Sequence, residues 1–119
     1  MERPRREAYA MPEEYVQLVQ LLKETGIPFV EYEWEPAPKG TYGVVSLEIE
    51  ANALNGDDHK QERAYEGSID LFFKKLSERN LITIIENVLT TVCQASWQAE
   101  RLQHEYKTGD YHQEWIFQV

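Results

Sequence analysis

Two runs of strict alternation bracket a polar segment in the middle of this chain and narrow what it can fold into. Val45, Leu47, Ile49 and Ala51 fall on one side of an extended backbone, while Ser46, Glu48 and Glu50 fall on the other. Tyr65, Gly67, Ile69, Leu71 and Phe73 repeat the pattern against Glu66, Ser68 and Asp70. A two-residue period rich in β-branched and aromatic side chains marks a strand buried on one face. Two such strands joined by a turn-rich stretch predict an antiparallel pair. The joining segment ANALNGDDHKQER is too long for a two-residue turn, although Asn55-Gly56 suits the apex of an extended hairpin arm.

Helical periods flank this pair. In MPEEYVQLVQLLKETG, Met11, Tyr15, Leu18, Val19 and Leu22 recur at helical spacing, Pro12 sits near a first turn, and Gly26 is placed to stop the run. The spacing predicts a helix over 12–25 with one apolar stripe, its dipole favoured by Glu13 and Glu14. Further on, Leu81, Ile84, Ile85, Val88, Leu89 and Val92 predict a second helix, with Ser77 where an N-cap would stand. Its β-branched content lowers intrinsic helix propensity, so packing must hold it.

Between the first helix and the alternating pair, Phe29, Glu31, Glu33 and Glu35 alternate with Val30, Tyr32 and Trp34, which predicts a strand with one acidic face. Pro36, Pro38 and Gly40 then form a loop. The last stretch divides at Lys107-Thr108-Gly109-Asp110 into a terminal hairpin, with Trp97, Tyr106, Tyr111, Trp115 and Phe117 covering helix or sheet faces. The expected order is α-β-β-β-α-β-β. It describes an α+β fold, a mostly antiparallel sheet of about five strands with two main helices packed on it. Residues 12–119 are expected to be a single domain behind a basic, flexible tail, 1–11, that carries Arg3, Arg5 and Arg6.

Charge bounds the function. A formal net charge of −9, with 21 acidic against 12 basic residues, argues against a protein that binds nucleic acid by neutralising phosphates. The single cysteine, Cys93, lies in the apolar helical pattern and reads as a small buried hydrophobe. No run of roughly 18 apolar residues and no charged-then-apolar leader occurs, so no membrane partner is expected and a cytosolic origin follows.

Catalytic chemistry finds little footing. Asp57, Asp58, His59 and Glu62 lack the spacing that wraps oxygen ligands around a divalent ion. His104 and His112 flank the terminal turn and are expected to oppose one another as a packing contact, so no metal or cofactor is expected. No phosphate-cradling glycine loop and no nucleophile elbow is present, and the carboxylates lie on solvent faces of strands, which argues against an enzyme. Yet acidic side chains on the outward face of all three central strands repel each other. Such a face suits a channel wall or a basic partner.

The runs LLKETGIPFVEYEW, Tyr42-Gly43-Val44, AYEGSIDLFFKK and the closing YHQEWIFQV resemble small phage tail-completion proteins, the tail terminators of long, non-contractile-tailed phages and related prophages. The likeness spans residues 15–119 and rests on hydrophobic pattern: a helix ending in Thr-Gly-hydrophobic-Pro, an aromatic strand, an Ile-Asp-Leu strand, a long helix and an aromatic terminal hairpin. The link from DLFFKK into LSERNLITIIENVL and the basic leader depart from it.

The resemblance implies a virion structural protein assembled in the host cytoplasm. Its subunits would form a hexameric ring that caps the tail tube, ends tube polymerisation and joins the tail to the head-neck connector, while genomic DNA passes through the opening without specific binding. On that picture Asn55, Asp57, Asp58, His59, Lys60 and Arg63 are expected in contact with a neighbouring subunit or the tube protein. Glu48, Glu50, Glu66 and Asp70 are expected at the channel or subunit border. A head-to-tail ring needs two unlike patches, and the acidic strand face against the arginine tail or the Lys60–Arg63 edge supplies such a pair. The alternatives are an acidic DNA-mimic inhibitor of a host DNA-binding protein and a head-tail neck connector subunit.

Overall fold

The structure, a computed structural model, describes residues 11–48 and 65–119. Helix α1 spans Glu13–Lys23, followed by strands β1 (Phe29–Glu31), β2 (Tyr42–Glu48) and β3 (Glu66–Phe73). A short 3-10 turn, Leu76–Glu78, leads into α2 (Asn80–Cys93), and the chain closes with β4 (Trp97–Ala99), β5 (Gln103–His104) and β6 (Tyr111–Gln118). The sheet runs β1-β2-β3-β6-β4, with β5 also on β6. The expected α+β order is present, with two differences. The β1–β2 pair is parallel, so the sheet is mixed. The first arm of the terminal hairpin is two short strands.

The helices form one layer on one face. Tyr15, Leu18, Val19 and Leu22 of α1 and Ile85, Leu89 and Cys93 of α2 are buried with Val45, Leu47, Ile69, Leu71, Phe73, Trp115 and Phe117 of the strands. Each fully buried large apolar side chain contributes about 1.5–3 kcal/mol. Trp115, completely buried, donates its indole N–H to Glu86 of α2 at 2.9 Å, so burial leaves no orphan donor. Met11, given to the α1 stripe by its spacing, is 40% exposed because the helix starts after it.

The start of α2 differs from expectation. Ser77 does not cap it. The Glu78 carboxylate instead accepts the Lys75 backbone N–H at 3.3 Å and the Thr41 hydroxyl at 3.2 Å, which ends β3 in a 3-10 turn and ties it to the start of β2. Helix α2 therefore begins at Asn80 without a side-chain cap. Packing holds it, as its β-branched sequence requires.

Strand β1 is also shorter than its alternation suggested. Tyr32 has φ 71°, and Glu33 N–H closes back on the Glu31 carbonyl at 2.9 Å, which turns the chain out of the sheet. Glu31 shares the helix-side face with Phe29 and accepts the Tyr15 hydroxyl at 3.0 Å. Glu33 and Glu35 fall beyond the strand, so the expected acidic face of this segment does not form.

Two strand glycines have steric causes. The Phe29 ring lies over its cross-strand partner Gly43, and the Phe117 ring over its partner Gly67. A Cβ on Gly67 would stand 2.5 Å from both the Phe117 ring and the Ser46 carbonyl oxygen, and the latter is backbone in a ladder. The variant Gly67→Ala is expected to lose about 1–3 kcal/mol of stability. Urea denaturation checks this: an unchanged midpoint would contradict the close packing.

Candidate functional site

The sheet face away from the helices has no covering layer among the described residues, and its composition is unusual. Cross-strand register places its side chains in four rows. Tyr42, Phe72 and His112 form the first; Val44, Asp70 and Glu114 the second; Ser46, Ser68 and Ile116 the third; Glu48, Glu66 and Gln118 the fourth. The rows follow from the two-residue period, which sends alternate side chains of β2, β3 and β6 to this side.

The first row is a continuous aromatic stack. Tyr42 stacks on Phe72 with centroids 4.8 Å apart, and Phe72 stacks on the His112 imidazole at 4.3 Å. Trp34, from the loop after β1, meets Tyr42 edge-on at 6.3 Å and donates its indole N–H to the Gly43 carbonyl at 3.1 Å. Tyr32 donates its hydroxyl to the Leu47 carbonyl at 3.2 Å. These two aromatic residues occupy carbonyls along β2 on the side where, among the described residues, three-residue β1 is its strand partner, so they blunt that edge.

The second and fourth rows set carboxylates directly opposite one another: Asp70 faces Glu114, and Glu48 faces Glu66. Opposed like charges destabilise a sheet. One of the two pairs is partly relieved, because His112 Nε2 lies 2.7 Å from Asp70 Oδ1. The hydrogen bond to Asp70 raises the imidazole pKa above its ordinary value, against the opposing effect of burial. Glu114 is pushed up as well, first by burial and then by the Asp70 charge.

Glu48, Glu66 and Asp70 thus share one face as expected. Glu114, which completes the second row, was missed, although its alternation with Trp115 and Phe117 was the available signal. Glu50, Asn55, Asp57, Asp58, His59, Lys60 and Arg63 lie outside the described residues, as does the arginine tail. The two histidines do not oppose one another. His104 pairs with Tyr111 and stacks on it at 4.3 Å, whereas His112 pairs with Gln103. An offset of one residue sends the two side chains to opposite faces.

The cause is a bulge. Between Ala99↔Trp115 and Gln103↔His112 the first arm has three residues where β6 has two. Gln113, buried on the helix side, fills the gap and donates its amide to the Glu100 carbonyl.

Other chemistry is sparse. Among the described residues no three His, Cys, Asp or Glu side chains converge to hold a metal. Cys93 is buried, which pushes its thiol up to about 11 and keeps it protonated. No helix among the described residues is long and apolar enough to cross a membrane. The sequence matches no family model and no curated protein.

The His112–Asp70 contact has a pH signature. A histidine raised in the folded state stabilises fully below its unfolded value, about 6.5, and loses that contribution as pH rises through the folded value. Replacing His112 by Gln is expected to cost about 0.5–1 kcal/mol more at pH 5.5 than at pH 9. Parallel urea titrations of both proteins measure the difference, and a larger cost at the alkaline end would refute the pairing.

Proposed function

We propose that this chain is a structural subunit of a ring, a hexamer in the tail-terminator reading, that caps a phage tail tube and presents a joining surface to the neck of the head. One observation carries the reading: the uncovered sheet face holds two in-register carboxylate pairs, Glu48–Glu66 and Asp70–Glu114, next to a stacked aromatic row. Opposed carboxylates are a cost to a subunit standing alone. They become useful where copies surround an opening through which DNA slides, since a wall of like charge repels phosphates and inverts the design of a phosphate clamp.

The fold suits that role. Helices on one side and an uncovered sheet on the other give two chemically unlike surfaces, which head-to-tail closure requires. The segment from Asn55 to Arg63 is assigned to contact with a neighbouring subunit or with the tube protein. Glu48, Glu50, Glu66 and Asp70 are assigned to the channel or subunit border.

The DNA-mimic alternative is less well supported by the arrangement of charge. The two carboxylate rows are four residues apart along β3, Glu66 to Asp70. At about 3.3 Å per residue they are ~13 Å apart, and a polar-apolar row separates them. Duplex DNA carries a charge every ~1.7 Å of axis.

Reversing Glu48, Glu50, Glu66 and Asp70 to Lys is expected to leave the monomer folded and to abolish ring closure or DNA passage. Native mass spectrometry with tube protein and a plaque assay read the two effects; normal particles would remove the assignment. Deleting Asp57–Gln61, in the polar stretch between β2 and β3, is expected to spare folding and to impair assembly. Wild-type assembly by that deletion variant would contradict the contact role.

A further inference from the structure

We propose that the turn bearing Tyr106 is a knob that seats in the groove between α1 and β1 of a second copy of this chain, in a head-to-tail contact. This rests on the self-assembly part of the reading above and names a contact that carries it.

The groove is an open concavity of about 440 Å³ beside α1. Met11, Val16 and Val19 give it apolar walls, and Glu31 of β1 also lines it, with one oxygen already accepting the Tyr15 hydroxyl. Lys23 and Glu24, at the C-terminal end of α1, are exposed on its rim. Val16 sets the groove apart from an ordinary helix surface. Glu13, Glu14, Gln17 and Gln20 keep the exposed side of α1 polar, yet Val16 stands among them 53% exposed and outside the packed core. An apolar side chain in that place has work for a partner and none for the fold.

The knob is preorganised. Tyr106 is 90% exposed, more than any other large apolar side chain among the described residues. Glu105 N–H donates to the Asp110 carbonyl at 2.9 Å and Gly109 N–H to the Glu105 carbonyl at 2.8 Å, with Gly109 at φ 80° closing the turn. Lys74 of β3 donates to the Thr108 carbonyl at 3.3 Å and pairs with Asp110 at 2.7 Å, which ties the turn to the sheet. A tyrosine held out on a fixed turn offers a large contact at small cost in lost freedom.

Position and charge select a second copy as the occupant. Strand order puts β1 at one edge of the sheet and β5 beyond β6 toward the other. The turn follows β5, so knob and groove lie toward opposite edges, with β1 and β5 four strand spacings or about 19 Å apart. One molecule thus offers a knob on one side and a groove on the other, the unlike pair that head-to-tail association needs. Glu105 and Lys107 flank Tyr106, while Lys23 and Glu24 border the groove, so each charge on the turn has its opposite on the rim. A second concavity, lined in part by Leu76 and Arg79, complements the turn less well: its Arg79 would oppose Lys107.

Sedimentation of the full-length chain tests the contact. Association is expected as concentration rises toward about 1 mM, weakened about tenfold by Tyr106→Ser or by Val16→Glu, with circular dichroism confirming each fold. Lys107→Glu is expected to weaken it about threefold, and Glu24→Lys in the same chain to restore it. Mixing the Tyr106→Ser and Val16→Glu proteins is expected to give a one-to-one complex that grows no further, because each partner keeps one intact surface. No association of the unaltered chain at that concentration, or no complex in the mixture, would overturn the proposal. So would a monomeric chain in which a Val16→Cys thiol is shielded from alkylation until Arg3, Arg5 and Arg6 are replaced by Glu, since the groove would then belong to the chain's own first residues. Open chains in place of closed rings would uphold this contact while removing the ring. Rings formed by Tyr106→Ser would keep the ring and overturn this contact.

Discussion

The eight-residue ladder between β3 and β6 supports the rest of the molecule. It brings the middle of the chain against its end and sets Trp115 beside Ile69 and Phe117 beside Gly67 under the helices. It also fixes what stands on the reverse side, because a strand cannot present Ile69, Leu71 and Phe73 to a core without turning Ser68, Asp70 and Phe72 away from it. Register makes this binding: a slip of one residue would exchange the two sets completely. The carboxylate opposition on the uncovered face is therefore built into the core packing.

That coupling explains how much of the fold was legible. Alternation at 45–51 and 65–73 and the helical period at 81–92 are signals written over many residues, and the elements they mark are present wherever the structure describes them. The signals that misled were short. The alternation at 29–35 covered three residues of real strand, since the main chain turns at Tyr32 and the parallel partner β2 ends the pairing at Val45. Ser77 had the chemistry of a cap but lies inside the 3-10 turn that the Glu78 carboxylate closes on Lys75 while also reaching Thr41, a tertiary contact with no trace in local sequence, and α2 starts only at Asn80. The bulge at residues 100–102 was equally hidden, because only the pairing on both sides of it reveals the extra residue.

The candidate face was half legible. Glu48, Glu66 and Asp70 were visible as the polar phase of alternating strands, and their common side followed from the period alone. The aromatic row was not visible. Tyr42 sits where glycine and threonine obscure the phase, Phe72 follows directly before another phenylalanine, and His112 comes from a strand distant in sequence. Their stacking is created by register, so sequence spacing could not announce it. The same holds for the His112–Asp70 bond, a diagonal contact between β6 and β3 that tempers one acidic pair and leaves the pair at Glu48 and Glu66 to solvent or a partner.

The ends of the sheet have a consequence for how copies can meet. The outer strands β1 and β4 are three residues long, β5 has two, and the aromatic residues after β1 occupy carbonyls of β2. Backbone-mediated stacking of one molecule onto the rim of the next, the route by which sheets grow into fibrils, has little template among the described residues. Growth without limit is thereby discouraged, and association is left to side chains, whose shape and charge can specify a closed number of partners.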